Sequence, residues 1–126
     1  MINVNKNVGQ IILRITLSLV FLYFSLNQLI DPSYWLGFVP NYALHFGLTA
    51  KMLVIGNGIF ELIFGLMLLS GTYTRIAALL LSLHLIGIAS TIGFGDPTGI
   101  RDLGLALATL SIVFFGKDNW CLDNKF

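Results

Sequence analysis

Residues 51–94, KMLVIGNGIFELIFGLMLLSGTYTRIAALLLSLHLIGIASTIGF, decide the fold. They hold two apolar stretches, 51–70 and 74–94, each close to the roughly 20 residues that a helix needs to cross a bilayer. Only Gly71-Thr72-Tyr73 separates them, a turn too short for anything but an antiparallel hairpin. Working outward, a third apolar stretch covers 9–30 and is stopped by Asp31-Pro32, because proline cannot continue the hydrogen-bonded ladder of a helix. A fourth covers 100–116, after the turn Gly95-Asp96-Pro97-Thr98-Gly99. The expected fold class is all-α: a single-domain integral membrane four-helix bundle.

Composition agrees. Of the 126 residues 56% are hydrophobic and 10% charged, and the mean hydropathy is +0.87, outside the soluble range. Four spans and short loops use the whole length. The net charge of +1 comes without a basic run or basic–aromatic interleaving, so nucleic acid is excluded as a partner. A single cysteine, Cys121, allows no intrachain disulfide and excludes a thiol relay between paired cysteines. The N-terminal stretch lacks a small-residue cleavage site and reads as a first span, not a removed signal peptide.

Between Pro32 and Thr49, the rings of Tyr34, Trp35, Phe38, Tyr42 and Phe46 alternate with Gly37, Pro40, Asn41 and His45. Aromatic rings with polar tips favour the headgroup level, so this segment is expected to lie flat in the interface, with a short helix from Asn41. Trp120 is a second interface anchor. Lys6, Arg14, Arg75, Lys117 and Lys125 fall on the side shared by both termini and the Gly71 turn, against Lys51 and Arg101 on the other. The positive-inside rule then puts both termini in the cytoplasm.

The polar groups inside these spans carry the functional information. A charged side chain at the bilayer centre costs about 2.5–3.5 kcal/mol on insertion scales, so such groups normally face the bundle interior and have partners. Counted from Thr72, Glu61 lies eleven residues back and His84 twelve forward. Their depths therefore agree to about one helical rise of ~1.5 Å, and a Glu61–His84 contact near mid-membrane is expected. Asn57, Glu61 and Gly65 form one stripe with Gly58 beside it, and Ala77, His84, Gly87 and Thr91 share a face of the third helix. Two readings are open: a set that fixes helix register, or one that lines a cavity for a polar-headed lipophile or a proton path.

A second polar layer comprises Asn27 and Gln28 at the end of the first span and Arg101-Asp102 at the start of the fourth. Arg101-Asp102 is either an exposed helix start, with Asp102 set against the helix dipole, or a pair drawn into the bundle where Arg101 grips an anionic or carbonyl group. Asn27 reads as a buried hydrogen-bonding group or a ligand contact. The candidate ligand-binding set is thus Glu61, His84, Asn57, Asn27, Arg101 and Asp102, with no catalytic residue. His45 and His84 sit on different levels and offer no metal or haem site, no phosphate-binding glycine motif is present, and Cys121 reads as a plain tail thiol.

Arg14, the run Gly58-x-x-Glu61-x-x-x-Gly65 through Gly71 to Thr74-Arg75, and Ile100-Arg101-Asp102-Leu103-Gly104 together resemble the DoxX family of small four-helix membrane proteins, from about Arg14 to Phe115. The family is named for a membrane subunit linked to thiosulfate:quinone oxidoreductase. The resemblance therefore implies a redox-associated subunit of the prokaryotic cytoplasmic membrane, with no intrinsic cofactor and a quinone or other lipophile bound in the bundle. Related branches often carry cysteines, and the single Cys121 departs from them. The expected partners are membrane lipid and a protein in a membrane complex. The alternatives are an accessory subunit that assembles or anchors such a complex, and a small proton-coupled transporter working as a homo-oligomer.

Overall fold

A computed structural model of the chain describes residues 6–39, 47–118 and 121–125. It contains four long helices, α1 (Lys6–Ile30), α2 (Ala50–Ser70), α3 (Thr74–Ile92) and α4 (Pro97–Phe115), with short 3₁₀ helices at Pro32–Phe38 and Leu122–Lys125. All four long helices are long and apolar enough to span a membrane, so the protein is an all-α membrane bundle. Large side chains such as Ile12, Leu19, Ile63, Leu83 and Leu107 are exposed on its outside, where they meet lipid.

The helix ends differ from the expected spans for local reasons. α2 starts at Ala50 because the Thr49 side chain accepts from the Met52 N–H at 3.1 Å. α3 stops at Ile92, two residues early, because Gly93 turns the chain at φ +100°. α4 starts at Pro97, three residues early: Asp96 caps it by accepting from the Thr98 N–H at 2.8 Å, and Pro97 occupies the first turn. α1 begins at Lys6, ahead of the expected Gly9. The aromatic segment forms a 3₁₀ turn that rests on α1, with Trp35 edge-on to Phe24 at 5.8 Å between ring centroids. Tyr42, His45, Phe46, the helix expected from Asn41, and Trp120 lie outside the described residues.

α1 packs closely along α2 and α3 along α4, whereas α2 and α3 touch less. Gly58 and Gly65 make the first contact tight: a Cβ on Gly58 would lie 3.1 Å from Leu29, and one on Gly65 would lie 3.2 Å from Leu22. Near the α2–α3 turn the bundle is filled by Leu17, Phe21, Leu68, Ala77, Ala78, Leu81 and Ile112.

That end is tied by Arg14. Arg14 does not sit beside a loop as a free positive charge, as its place in the sequence suggested; it is only 2% exposed. Its Nε donates to Asp118 Oδ2 at 2.7 Å and its Nη2 to Oδ1 at 3.3 Å, a bidentate pair. Its Nη1 donates to the carbonyls of Leu68 (2.9 Å) and Leu69 (2.5 Å). The last carbonyls of a helix have no intrahelical donor. Gly71, at φ +77°, supplies two donors to α2, its own N–H to Leu68 and the next N–H, from Thr72, to Met67. The guanidinium adds donors to Leu68 and Leu69.

The tail then docks over the turn. Asp123 N–H donates to the Gly71 carbonyl at 2.9 Å, while its carboxylate accepts from the N–H groups of Tyr73 (2.6 Å) and Thr74 (2.9 Å) and from Thr74 Oγ1 (2.8 Å). Cys121 is not the plain tail thiol expected. It is buried against Gly71, where any Cβ would overlap it, and its Sγ accepts from Asp118 N–H at 3.3 Å and from Thr74 Oγ1 at 3.5 Å.

Two predictions follow from this end of the molecule. Asp118→Ala leaves a buried guanidinium without its counter-charge and is expected to destabilise the fold by about 3–5 kcal/mol. The double variant Arg14→Met/Asp118→Leu removes both charges and should recover much of that loss, read from unfolding transitions in detergent micelles. For Asp123, burial raises the carboxyl pKa, but the hydrogen bonds from Thr74 and Tyr73 and the Lys117 charge outweigh it and hold the pKa below the ordinary 3.8. A depressed folded-state pKa means stability that is present above the unfolded value and is lost as pH falls through the folded one. Tail docking should therefore survive to below about pH 4, the ordinary carboxyl range, and then fail. Hydrogen exchange at the Tyr73 and Thr74 amides, corrected for intrinsic rate, should show acid-triggered loss of protection in the wild type and none in Asp123→Asn.

Candidate functional site

Beyond Glu61 and His84, in the half of the bundle away from the α2–α3 turn, the helices enclose a partly open cleft of about 940 Å³. Its walls are mainly apolar and aromatic, from Leu17, Phe21 and Phe24 of α1, Trp35, Phe60 of α2 and Leu105 of α4. Gln28, Asn57, Glu61, His84 and Asp102 enter it through those walls, with Arg101 at the rim and Ser90, Thr91 and Thr98 also along the lining.

The centre is Glu61, only 3% exposed. Each carboxylate oxygen accepts an amide hydrogen bond, Oε2 from Gln28 Nε2 at 3.1 Å and Oε1 from Asn57 Nδ2 at 3.3 Å. Asn57 Nδ2 also donates to Gln28 Oε1 at 2.6 Å, so α1 and α2 are cross-linked by a three-member polar network. Asn57 and Glu61 lie one helical turn apart on α2, and Gly58, on the same side, lets Gln28 approach.

His84 faces Glu61 from α3. Its Nε2 lies 3.8 Å from Glu61 Oε1, an ion-pair distance that is too long for a hydrogen bond. This nitrogen is buried and has no hydrogen-bond partner among the described residues. The ring is steadied from one side by Phe60, at 4.5 Å between centroids, and Phe60 leans in turn on Phe64 at 4.7 Å. Leaving a buried polar atom unsatisfied costs about 1–3 kcal/mol, which a ligand oxygen beside it would recover.

Asp102 is buried near the start of α4, close enough for its carboxylate to interact electrostatically with Glu61. Arg101 hydrogen-bonds Asp102 Oδ1 through Nη2 at 3.3 Å and Nε at 3.4 Å, and its guanidinium lies over the Phe24 ring, 5.4 Å from the centroid. The pair thus divides, with Asp102 inside and Arg101 half-exposed at the rim.

Of the six residues singled out from the sequence, Glu61, His84, Asn57, Arg101 and Asp102 come together around the cleft. Asn27 does not. Its amide donates back to the Tyr23 carbonyl at 2.9 Å, and it lines a smaller neighbouring hollow of about 330 Å³ with Asp31, Tyr34 and Arg101. The residue missed was Gln28. The buried positions of α1 run Ile11, Arg14, Ser18, Phe21, Ser25, Gln28, a spacing of three and four that puts Gln28 on the core face and Asn27 beside it. The same spacing would have placed Arg14 inside.

The cluster offers acid–base and hydrogen-bonding groups, and no electron carrier. Among the described residues no three His, Cys, Asp or Glu side chains converge in a way that could hold a metal ion. No curated protein and no solved structure matches the chain. The sequence model of the DoxX family matches residues 9–94, about two thirds of the 126 residues and including α1, α2 and α3 with Glu61 and His84. The match stops short of α4 and its Arg101-Asp102 motif but covers the three helices that carry Glu61, His84 and their partners, and the chain belongs to the DoxX family.

Proposed function

We propose that this DoxX-family protein is a membrane subunit of a redox system that holds a quinone-like lipophile in the cleft, its polar head at Glu61 and His84. The observation that carries the reading is the buried, partnerless Nε2 of His84 facing a hydrogen-bonded Glu61 across an apolar, aromatic-walled cleft. Binding sites for small ligands combine such walls with a few convergent polar groups. A close-packed interior would instead have favoured a purely accessory subunit. A head carbonyl or hydroxyl would bond His84 Nε2 on one side and the Glu61–Asn57–Gln28 network on the other. Electron transfer to or from the bound head would fall to a partner protein.

With Arg75, Lys117, Lys6 and Lys125 at one end, against Lys51 and Arg101 at the other, we place both termini in the cytoplasm and the cleft in the outer half of the membrane. Arg14, being paired, no longer counts in that comparison.

Two measurements test these readings. Glu61→Gln keeps the shape but replaces an acceptor-only oxygen with a donor, and should weaken binding of decylubiquinone in nanodiscs about tenfold, the equivalent of about 1.4 kcal/mol. Unchanged affinity, together with no lipophile co-purifying from native membranes by mass spectrometry, would overturn the ligand reading in favour of the accessory one. A reporter active only in the periplasm, fused after Phe126, should be silent; activity there would reverse the assigned sidedness.

A further inference from the structure

Among the described residues, two of the four seams between neighbouring helices are packed shut around the cleft, and the α1–α4 seam, where the helices touch less and a small hollow lies beside it, is bridged by one side chain. α1 and α2 meet through Gly58 and Gly65. α3 and α4 are packed along their length, with Gly99 so close to Gly93 that its carbonyl would overlap any added Cβ. Between α1 and α4 the Arg101 guanidinium lies across Phe24 and is held there by Asp102. The fourth seam, between α2 and α3, is closed by the Gly71 turn and the core at one end only. Beyond Glu61 and His84 its edges are Met52 and Gly56 on α2 and Leu83 and Gly87 on α3, all of which line the cleft and are exposed on the lipid side. Among the described residues no atom lies within 4 Å of a Cβ position at Gly56 or Gly87, so a side chain at either would stand in open space at the mouth.

Resting on the proposal that the cleft holds a polar-headed lipophile, we infer that this seam is a lateral portal through which the ligand passes directly from the bilayer, with Gly56 and Gly87 as its threshold. On this side the mouth opens among exposed apolar side chains, Met52 at 54% and Leu83 at 56%. The ligand class is therefore an amphiphile with a compact polar head and a long apolar tail. The head travels inward to Glu61 and His84 at the apex of the wedge, while the tail remains between α2 and α3 in contact with acyl chains. A tail left in lipid is never transferred to water, so binding needs no desolvation of it and selects for molecules already dissolved in the membrane.

The test uses Trp35, one of two tryptophans in the chain and part of the cleft wall, as the reporter. In a Trp120→Phe background in nanodiscs, decylubiquinone should quench Trp35 emission as it binds. Gly87→Leu should slow that quenching at least tenfold, and Gly56→Leu should do the same independently. Gly104→Leu, the same change at an exposed glycine of α4 that lies outside the cleft and equally free of neighbours, should bind at the wild-type rate. Thermal unfolding of each variant shows whether it is folded. Wild-type quenching with unchanged kinetics in both folded portal variants would overturn the portal while leaving the binding site standing. Absence of specific quenching in the wild type would overturn the binding reading, and the portal with it.

Discussion

A buried guanidinium in a membrane bundle needs a partner at each nitrogen, and Arg14 meets that demand by gathering parts from across the chain. It takes a carboxylate from the tail at Asp118 and two carbonyls from the end of α2. Each partner gains from Arg14 in return: the buried Asp118 carboxylate receives a bidentate pair, and the Leu69 carbonyl at the helix end receives a donor. Once the guanidinium is in place, the register of α1 against α2 and the path of the chain after α4 are set together. The Asp123 and Cys121 contacts then complete the closure over the Gly71 turn.

Closing one end shapes the other. Small residues, alanines on α3 and α4 and glycines on α2, let the helices approach where the core is filled, and Ala77, Ala78, Ala89 and Ala106 are fully buried. Towards the opposite end, larger side chains take over on the inner faces: Phe24, Trp35, Phe60 and His84 line the walls and do not fill the centre. The α2–α3 hairpin is held at its turn and relaxed at its free ends. Glu61 and His84 sit where the filled half ends and the hollow half begins, which is why one carboxylate serves both as a packing cross-link through Gln28 and Asn57 and as the floor of a cleft.

The polar network also explains why so costly a group is tolerated at that depth. Glu61 is held by two amides, and one of these also donates to the other, so the cluster is joined from α1 to α2. His84 stands outside that closure, across a 3.8 Å gap, supported by the Phe60 ring. A network satisfied on one side and open on the other is the arrangement expected of a site that packs a bundle and still has a valence to offer.

Much of this was legible in the residues. Span length and apolar composition determined the four helices, because backbone groups in lipid must bond within their own segment. The three-residue turn determined that Glu61 and His84 lie at one depth on neighbouring helices, since antiparallel helices of equal rise cannot offset them. What the linear pattern left open was rotation about each helix axis and the distance between helices. These quantities separate Gln28 from Asn27, put Arg14 inside and not beside a loop, and turn a terminal cysteine into a buried contact on Gly71. They arise from contacts between residues as far apart as 14 and 118, whose energies depend on every intervening element being in place. The helices were therefore written in the sequence, while the cleft, which is the space they fail to fill, was decided only by their packing.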